Sequence, residues 1–321
     1  MFSPRFFRLN RNMSAYMMFL IALLLIPLFV KNEYFLRILV MIFIYSTLAL
    51  GLNFIAGYVG LLSFGHAAFY GIGAYTTAIL MTRYGFGFVP AFAASGIITF
   101  MSGVFLGLPL LRVRGDYLVL VTLAFGEIFR VLMQGLHNFS GGQMGIVGIP
   151  VPTIFGFRIF TNVQFYYVAF ALVAFSLATL AYIESSKIGR AMMAIREDEL
   201  AANTLGINTA FYKLLGFAIG TFFAGIAGSL LSVYLTAIAP SNFTLGESVL
   251  VIIMVIVGGL GSLPGSIIGA GVIISATELF RPVYQYRLLI IGSILVIVLS
   301  FHPQGIMGIK AWKRSNKDEG A

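Results

Sequence analysis

Apolar residues run along this chain in long blocks, separated by short polar or glycine-rich stretches. A helix needs about 20 mostly apolar residues to cross the hydrocarbon core of a bilayer. Blocks near that size fall at 13–30, 38–57, 60–81, 88–111, 117–136, 162–183, 213–239, 245–260, 265–280 and 287–301. The pattern predicts an all-α polytopic membrane protein of about ten transmembrane helices, in a single domain over 1–321. Pro27 marks a kink in the first block. Nine or eight spans with re-entrant pieces fit the same blocks, because the third, eighth and ninth are interrupted by glycine.

Composition agrees. The chain is 60% hydrophobic and 10% charged, with a mean hydropathy of +0.99. Soluble domains are about 45–50% apolar and about 25% charged. The polar stretches leave no room for a soluble domain. The net charge of +9 reports orientation in a membrane rather than nucleic-acid binding. Cysteine is absent, so there is no disulfide framework and no thiolate metal site. Arg5, Arg8 and Arg11 precede the first block, but no A-x-A-like cleavage site follows, so that block reads as an uncleaved span.

One internal stretch breaks the apolar pattern. Residues 185–214 carry Lys187, Arg190, Arg196, Glu197, Asp198, Glu199 and Lys213. A single Arg, Lys or Asp at the bilayer centre costs about 2.5–3.5 kcal/mol on insertion scales. This segment therefore lies in water between two spans. Arg196 to Leu205 has no Gly or Pro, and Ala201 and Ala202 are strong helix formers, so a short helix is expected there, stopped by Gly206. Thirteen basic residues, including those of this segment and both termini, fall on one side of a ten-span layout, and seven fall on the other. The asymmetry places residues 185–214 and the tails 1–12 and 303–321 in the cytoplasm. A helix on that face reads as a docking element for a soluble partner.

Two glycine-rich interruptions fall in corresponding halves of the chain, from Gly57 to Gly73 and from Gly258 to Gly265. Helix breaks at membrane depth persist only where protein buries them or where they line a water-filled path, and paired breaks are what an inverted repeat would leave. Ser63, Gly65, His66, Gly258, Gly259 and Gly261 are the pathway candidates on this reading. Close helix packing through small residues explains the same glycines. For His66, an intramembrane ionisable group, the alternative is a neutral imidazole bonded to a neighbouring helix. Glu127 and Arg130, three residues apart, share one helix face and read as a structural ion pair or as a contact with cargo or a partner. No phosphate-binding GxxxxGK[ST] loop occurs, and no catalytic or metal-binding constellation is present. ATP, if used, is bound by another chain.

Several motifs occur in order from about residue 38 to 308. They include Gly51-Leu52-Asn53, Gly57-Tyr58-x-Gly60-x-x-Ser63-x-Gly65-His66-Ala67-Ala68-Phe69-x-Gly71-Ile72-Gly73, and Thr122-Leu123-Ala124-Phe125-Gly126-Glu127. Further along come Ser140-Gly141-Gly142, Gly189-Arg190-Ala191, Ala194-Ile195-Arg196-Glu197-Asp198-Glu199, Leu205-Gly206-Ile207-Asn208, Gly258-Gly259-Leu260-Gly261-Ser262 and Pro303-Gln304-Gly305. This ordered set resembles the permeases of branched-chain amino acid ABC importers, LivM type.

The resemblance implies a non-enzymatic importer subunit in a bacterial or archaeal inner membrane. It implies a LivH-type permease as partner, two ATP-binding subunits, and a periplasmic or lipid-anchored substrate-binding protein. It also implies the plan of ten-span cobalamin-type importers, in which the loop between spans six and seven docks on the ATPase. In this chain that loop is 185–214. Its charged contacts would be Arg196, Glu197 and Asp198, and its apolar face Ala201, Ala202, Leu205 and Ile207, with Gly206 as the stop. Permeases for urea and for aromatic acids or amides share nearly this pattern. An ion-coupled secondary transporter would instead favour carboxylates in the broken helices, and these stretches hold none.

Overall fold

The computed structural model describes residues 32–110, 116–154, 156–280, 287–302 and 304–307, together with Pro27. The expected span 13–30 apart from Pro27, the basic N-terminus, the turn at 112–115 and the tail beyond 307 lie outside the described residues. Twelve α-helices occur among the described residues. They are α1 (Glu33–Asn53), α2 (His66–Thr82), α3 (Phe88–Leu110), α4 (Asp116–Gly135), α5 (His137–Ser140) and α6 (Asn162–Ser185). Then follow α7 (Lys187–Glu197), α8 (Glu199–Thr204), α9 (Thr209–Leu235), α10 (Leu245–Gly258), α11 (Leu263–Leu279) and α12 (Arg287–Phe301). Among the described residues six helical stretches are long and apolar enough to cross a membrane, and two shorter apolar helices, Leu263–Leu279 and Leu289–Phe301, follow them. The chain is a polytopic helical membrane protein.

Helix α9 is the hub. It packs against α2, α3 and α1, and it has a reason to. In lipid, apolar side chains gain little from meeting each other, so association rests on close van der Waals contact through small residues. Along α9 lie Gly216, Gly220, Gly225 and Gly228. A Cβ added at Gly51 of α1 would stand 2.5 Å from the carbonyl oxygen of Gly220. One added at Gly73 of α2 would stand 2.5 Å from the Cα of Gly225. The small-residue face expected on α3 also meets α9, Gly103 against Thr221 and Gly107 against Leu214. The backbones touch, and the aromatic and aliphatic side chains around them close the core.

The two ends of α9 differ. At about 1.5 Å per residue, its 27 residues span roughly 40 Å. Its N-terminal end follows the charged segment, and Asn208 caps it by accepting from Phe211 N at 3.0 Å. Its C-terminal end runs into strand β4 (Ala237–Ile238), which pairs antiparallel with β1 (Ile146–Val147). The glycine- and proline-rich stretch at 138–161 is therefore a built cap rather than a bare loop. It also holds the hairpin β2 (Thr153–Ile154) and β3 (Phe157–Arg158). It leads into α6 through a capping box between Thr161 and Gln164, which satisfies orphan backbone amides at both positions. The charged segment and this cap thus sit at opposite ends of the bundle.

Candidate functional site where two helix breaks meet a polar segment

The first break begins inside the membrane-spanning length of α1. Its last turn widens into a π-helical segment, Phe54–Val59. Such segments loosen the regular ladder. Gly60 ends it at φ 80°, a left-handed conformation that glycine adopts without steric cost. Residues 60–65 are non-helical, and α2 starts only at His66, later than the block 60–81 suggested. Its first amides are met by neighbouring side chains rather than left open. Phe64 N donates to Thr122 Oγ1 of α4 at 3.1 Å, and Ala67 N donates to Ser248 Oγ of α10 at 3.0 Å.

The second break separates α10 from α11. Gly259 and Gly261 take φ of 114° and 81°, and Ser262 caps α11 by accepting from Gly265 N at 3.2 Å. The chain beyond α12 returns to this break. Ile306 N donates to Val257 O and Met307 N to Gly258 O, both at 2.9 Å. A Cβ at Gly305 would lie 2.6 Å from the Cα of Gly259. That explains the glycine of the Pro303-Gln304-Gly305 motif.

The two breaks are clasped together by Asn53, which is wholly buried. Its Oδ1 accepts from Gly261 N at 2.8 Å. Its Nδ2 donates to Ser262 O at 2.8 Å and to Ser266 Oγ at 2.7 Å. Gly57 lies against the same turn, since a Cβ there would stand 2.5 Å from Gly261 N. An Asn53→Ala change leaves one buried amide and the oxygens of Ser262 and Ser266 short of their partner. Lost buried hydrogen bonds of this kind cost about 1–3 kcal/mol. We expect a lower thermal midpoint of the detergent-solubilised protein, with Asn53→Gln failing to restore it because the clasp is tight on both sides.

The charged segment reaches the same place. Arg196 Nη1 donates to the carbonyl oxygen of Gly57, and the backbone of Gly60 packs on the Arg196 stem, at 3.2 Å from Cγ for an added Cβ. Tyr58 lies beside Glu184 at the end of α6. The expected single helix through Arg196 to Leu205 is instead two helices. They meet at Asp198, whose backbone is extended at φ −154° and ψ 109°. Asp198 Oδ1 accepts from Leu200 N at 2.9 Å and from Ala201 N at 3.0 Å, so the residue serves as an N-cap, the role its short acceptor side chain favours. Helix α8 closes at Leu205 with Gly206 at φ 81°. Lys213 of α9 bridges to Glu199 at 2.6 Å, tying the segment to the hub helix.

The residues singled out from sequence fall into three groups. Arg196, Gly258, Gly259 and Gly261 lie at the junction. Glu197, Asp198, Ala201 and Leu205 are exposed on the segment, Ile207 is half-buried, and Ala202 is 2% exposed and turned inward. Leu200, 70% exposed, was not singled out, although it stands beside Glu199 on a polar segment. Ser63, Gly65 and His66 are buried. His66 Nε2 lies 3.2 Å from Leu48 O of α1, the neighbouring-helix bond that was its alternative reading. At Gly65 an added Cβ would stand 3.1 Å from the Thr122 carbonyl carbon, a close backbone approach to α4. Asn53 was visible as a lone amide in an apolar run, but its clasp depends on a contact across more than 200 residues. Glu127 and Arg130 form the expected pair, with Oε2 accepting from Nε at 2.9 Å and from Nη2 at 2.7 Å.

A bundle of apolar helices, broken twice at one level and tied there to a polar segment, has the architecture of a membrane transport protein. Comparison with known proteins gives the family. Residues 34–299 match the family described as "Branched-chain amino acid transport system / permease component". The chain is 38% identical to the high-affinity branched-chain amino acid transport system permease protein LivM of Salmonella typhimurium, over 90% of this chain and 74% of that one. It is 37% identical to LivM of Escherichia coli over the same shares. It is 28% identical to the E. coli permease protein LivH, over 82% of this chain and 91% of that one. No solved structure matches it. The chain belongs to the branched-chain amino acid transport permease family.

Proposed function

We propose that this chain is the LivM-type half of an ATP-driven importer of branched-chain amino acids, paired with a homologous LivH-type permease. The observation that carries the reading is the identity of 37–38% to two LivM proteins across 90% of the chain. Similarity to LivH as well fits two homologous permeases sharing one pathway. The full plan is ten spans on the cobalamin-importer pattern in a prokaryotic inner membrane, both termini cytoplasmic. The segment 185–214 docks on one of two ATP-binding subunits, and an external binding protein delivers cargo. The chain itself needs no cofactor and performs no catalysis; ATP is held by its partners. Force on the segment reaches the breaks through Arg196 and through the Lys213–Glu199 bridge.

The test is to purify the tagged chain with its co-expressed partners and reconstitute the complex in proteoliposomes. ATP-dependent uptake of labelled leucine supports the reading. Uptake of urea in place of leucine, or leucine uptake without ATPase subunits, overturns it. Docking has its own prediction. Glu197→Lys combined with Leu205→Asp replaces an exposed charge and an exposed apolar side chain, 79% exposed at Leu205, while leaving the Asp198 cap intact. Interface hot spots of this kind cost about 2 kcal/mol or more, so ATPase co-purification should fall at least about tenfold. An unchanged yield of ATPase would place the docking surface elsewhere.

A further inference from the structure

Helix α4 has three unlike sides. Leu118 and Phe129 pack into the core at 4% and 7% exposure. Leu120, Ile128 and Val131 stand 59%, 57% and 56% exposed. Between them Glu127, Arg130 and Gln134 recur at i, i+3 and i+7, one helix face, and all three are half-buried. The pair lies in the middle of a stretch, Tyr117–Gly135, that is long and apolar enough to cross a membrane and is only 22% buried within the chain. Charged groups at that depth face a bundle interior or a water-filled cavity rather than lipid.

The geometry of the pair leaves binding capacity. Two of the three nitrogens of the Arg130 guanidinium, Nε and Nη2, donate to one oxygen, Oε2 of Glu127. Among the described residues, Oε1 of Glu127 and Nη1 of Arg130 take no further partner. Beside the stripe, between α2, α3 and α4, opens a pocket of about 360 Å³. Its α4 wall is Phe129 and Met133, next to and nearly one turn from Arg130, and its α2 wall includes Ile72, Tyr75 and Ile79. Tyr75, 3% exposed, lines it with a buried hydroxyl that has no hydrogen-bond partner.

We propose that the Glu127–Arg130–Gln134 stripe and this pocket form a membrane-depth subsite for a zwitterionic aliphatic amino acid. This rests on the importer reading. Arg130 faces the cargo carboxylate and Glu127 its ammonium, while the branched side chain enters the apolar pocket toward Tyr75. The paired side chains neutralise each other when the site is empty and exchange partners with a cargo of the same two charges.

The test uses the reconstituted whole importer. The chain has no cysteine, so a single introduced thiol is the permease's only label. Gln134→Cys should react with a membrane-impermeant thiol reagent and be slowed at least threefold by saturating leucine, while Ile128→Cys on the opposite flank should stay unreactive. Glu127→Gln and Arg130→Gln should each cut leucine uptake at least tenfold with subunit co-purification intact. The charge-swapped pair, Glu127→Arg with Arg130→Glu, should not restore it. An inert Gln134→Cys, labelling indifferent to leucine, or uptake restored by the swap would overturn the subsite, the last by showing a purely structural pair. A wild-type complex that takes up no leucine would instead refute the importer reading.

Discussion

Replacing Arg196 with Met should leave the permease folded and bound to its partners yet cut ATP-dependent uptake at least about tenfold, while ATP hydrolysis continues. The side chain stands where the segment at 185–214 meets the first helix break, donating to the Gly57 carbonyl. That carbonyl belongs to the π-helical segment Phe54–Val59, where the ladder is already loosened. A hydrogen bond from a charged donor is worth about 1.5–3 kcal/mol, and tenfold in rate corresponds to about 1.4 kcal/mol, so loss of this one bond is enough. Met keeps the aliphatic stem that packs on Gly60, which isolates the guanidinium as the variable. Arg196→Lys should fall between, because an ammonium has one compact charge in place of a planar fork. The measurement is the ratio of leucine moved to ATP hydrolysed in proteoliposomes. A ratio unchanged by Arg196→Met would show that force reaches the bundle by another route, with the Lys213–Glu199 bridge the next to test.

Much of this arrangement was legible in the chain, and what was missed has a common cause. Apolar runs report helices because a 3.6-residue ladder is the only way to satisfy an isolated backbone in lipid, so α3, α4, α6 and α12 fall within a few residues of their blocks. The interruptions at Gly60 and Gly259–Gly261 were visible for the same reason. Position along the chain cannot show that the two interruptions meet, since Asn53 and Gly261 are joined only in three dimensions. Nor could it show that Arg196 reaches across to the first break, because a charge in a water-exposed segment ordinarily serves the solvent or a partner. The split at Asp198 was hidden by propensity. Ala201 and Ala202 favour helix on either side, but an acidic residue with amides ahead of it is also a strong N-cap, and that local bond prevailed. Placing the cargo path near Ser63 and His66 followed the glycines. The structure packs that region against α1, α4 and α10, and α4 carries further half-buried polar residues at Glu127, Arg130 and Gln134.

A methyl group at Gly73 should damage the fold far more than the same group at Gly292. Both are glycines within apolar helices, so the change in helix propensity, about 1 kcal/mol in favour of Ala, is common to both. At Gly292 an added Cβ meets nothing within 4 Å. At Gly73 it would stand 2.5 Å from the Cα of Gly225 and 2.6 Å from its carbonyl carbon. Real carbon atoms do not approach so closely, and both partners are backbone, so neither can rotate away. Helices α2 and α9 must separate. Overpacking costs about 1–3 kcal/mol in cores that can adjust. Here the displaced elements are the hub helix and one of its two main packing partners, and dispersion contact is what holds helices together in lipid. We expect Gly73→Ala to cost about 3 kcal/mol, a large share of a stability of about 5–15 kcal/mol. Gly73→Val should abolish recovery of folded protein. Gly292→Ala should be neutral or slightly stabilising. Thermal midpoints of the detergent-purified variants, with folded yield from the membrane fraction, read the difference directly. Equal losses at the two glycines would mean that backbone contact along α9 is not what organises this bundle.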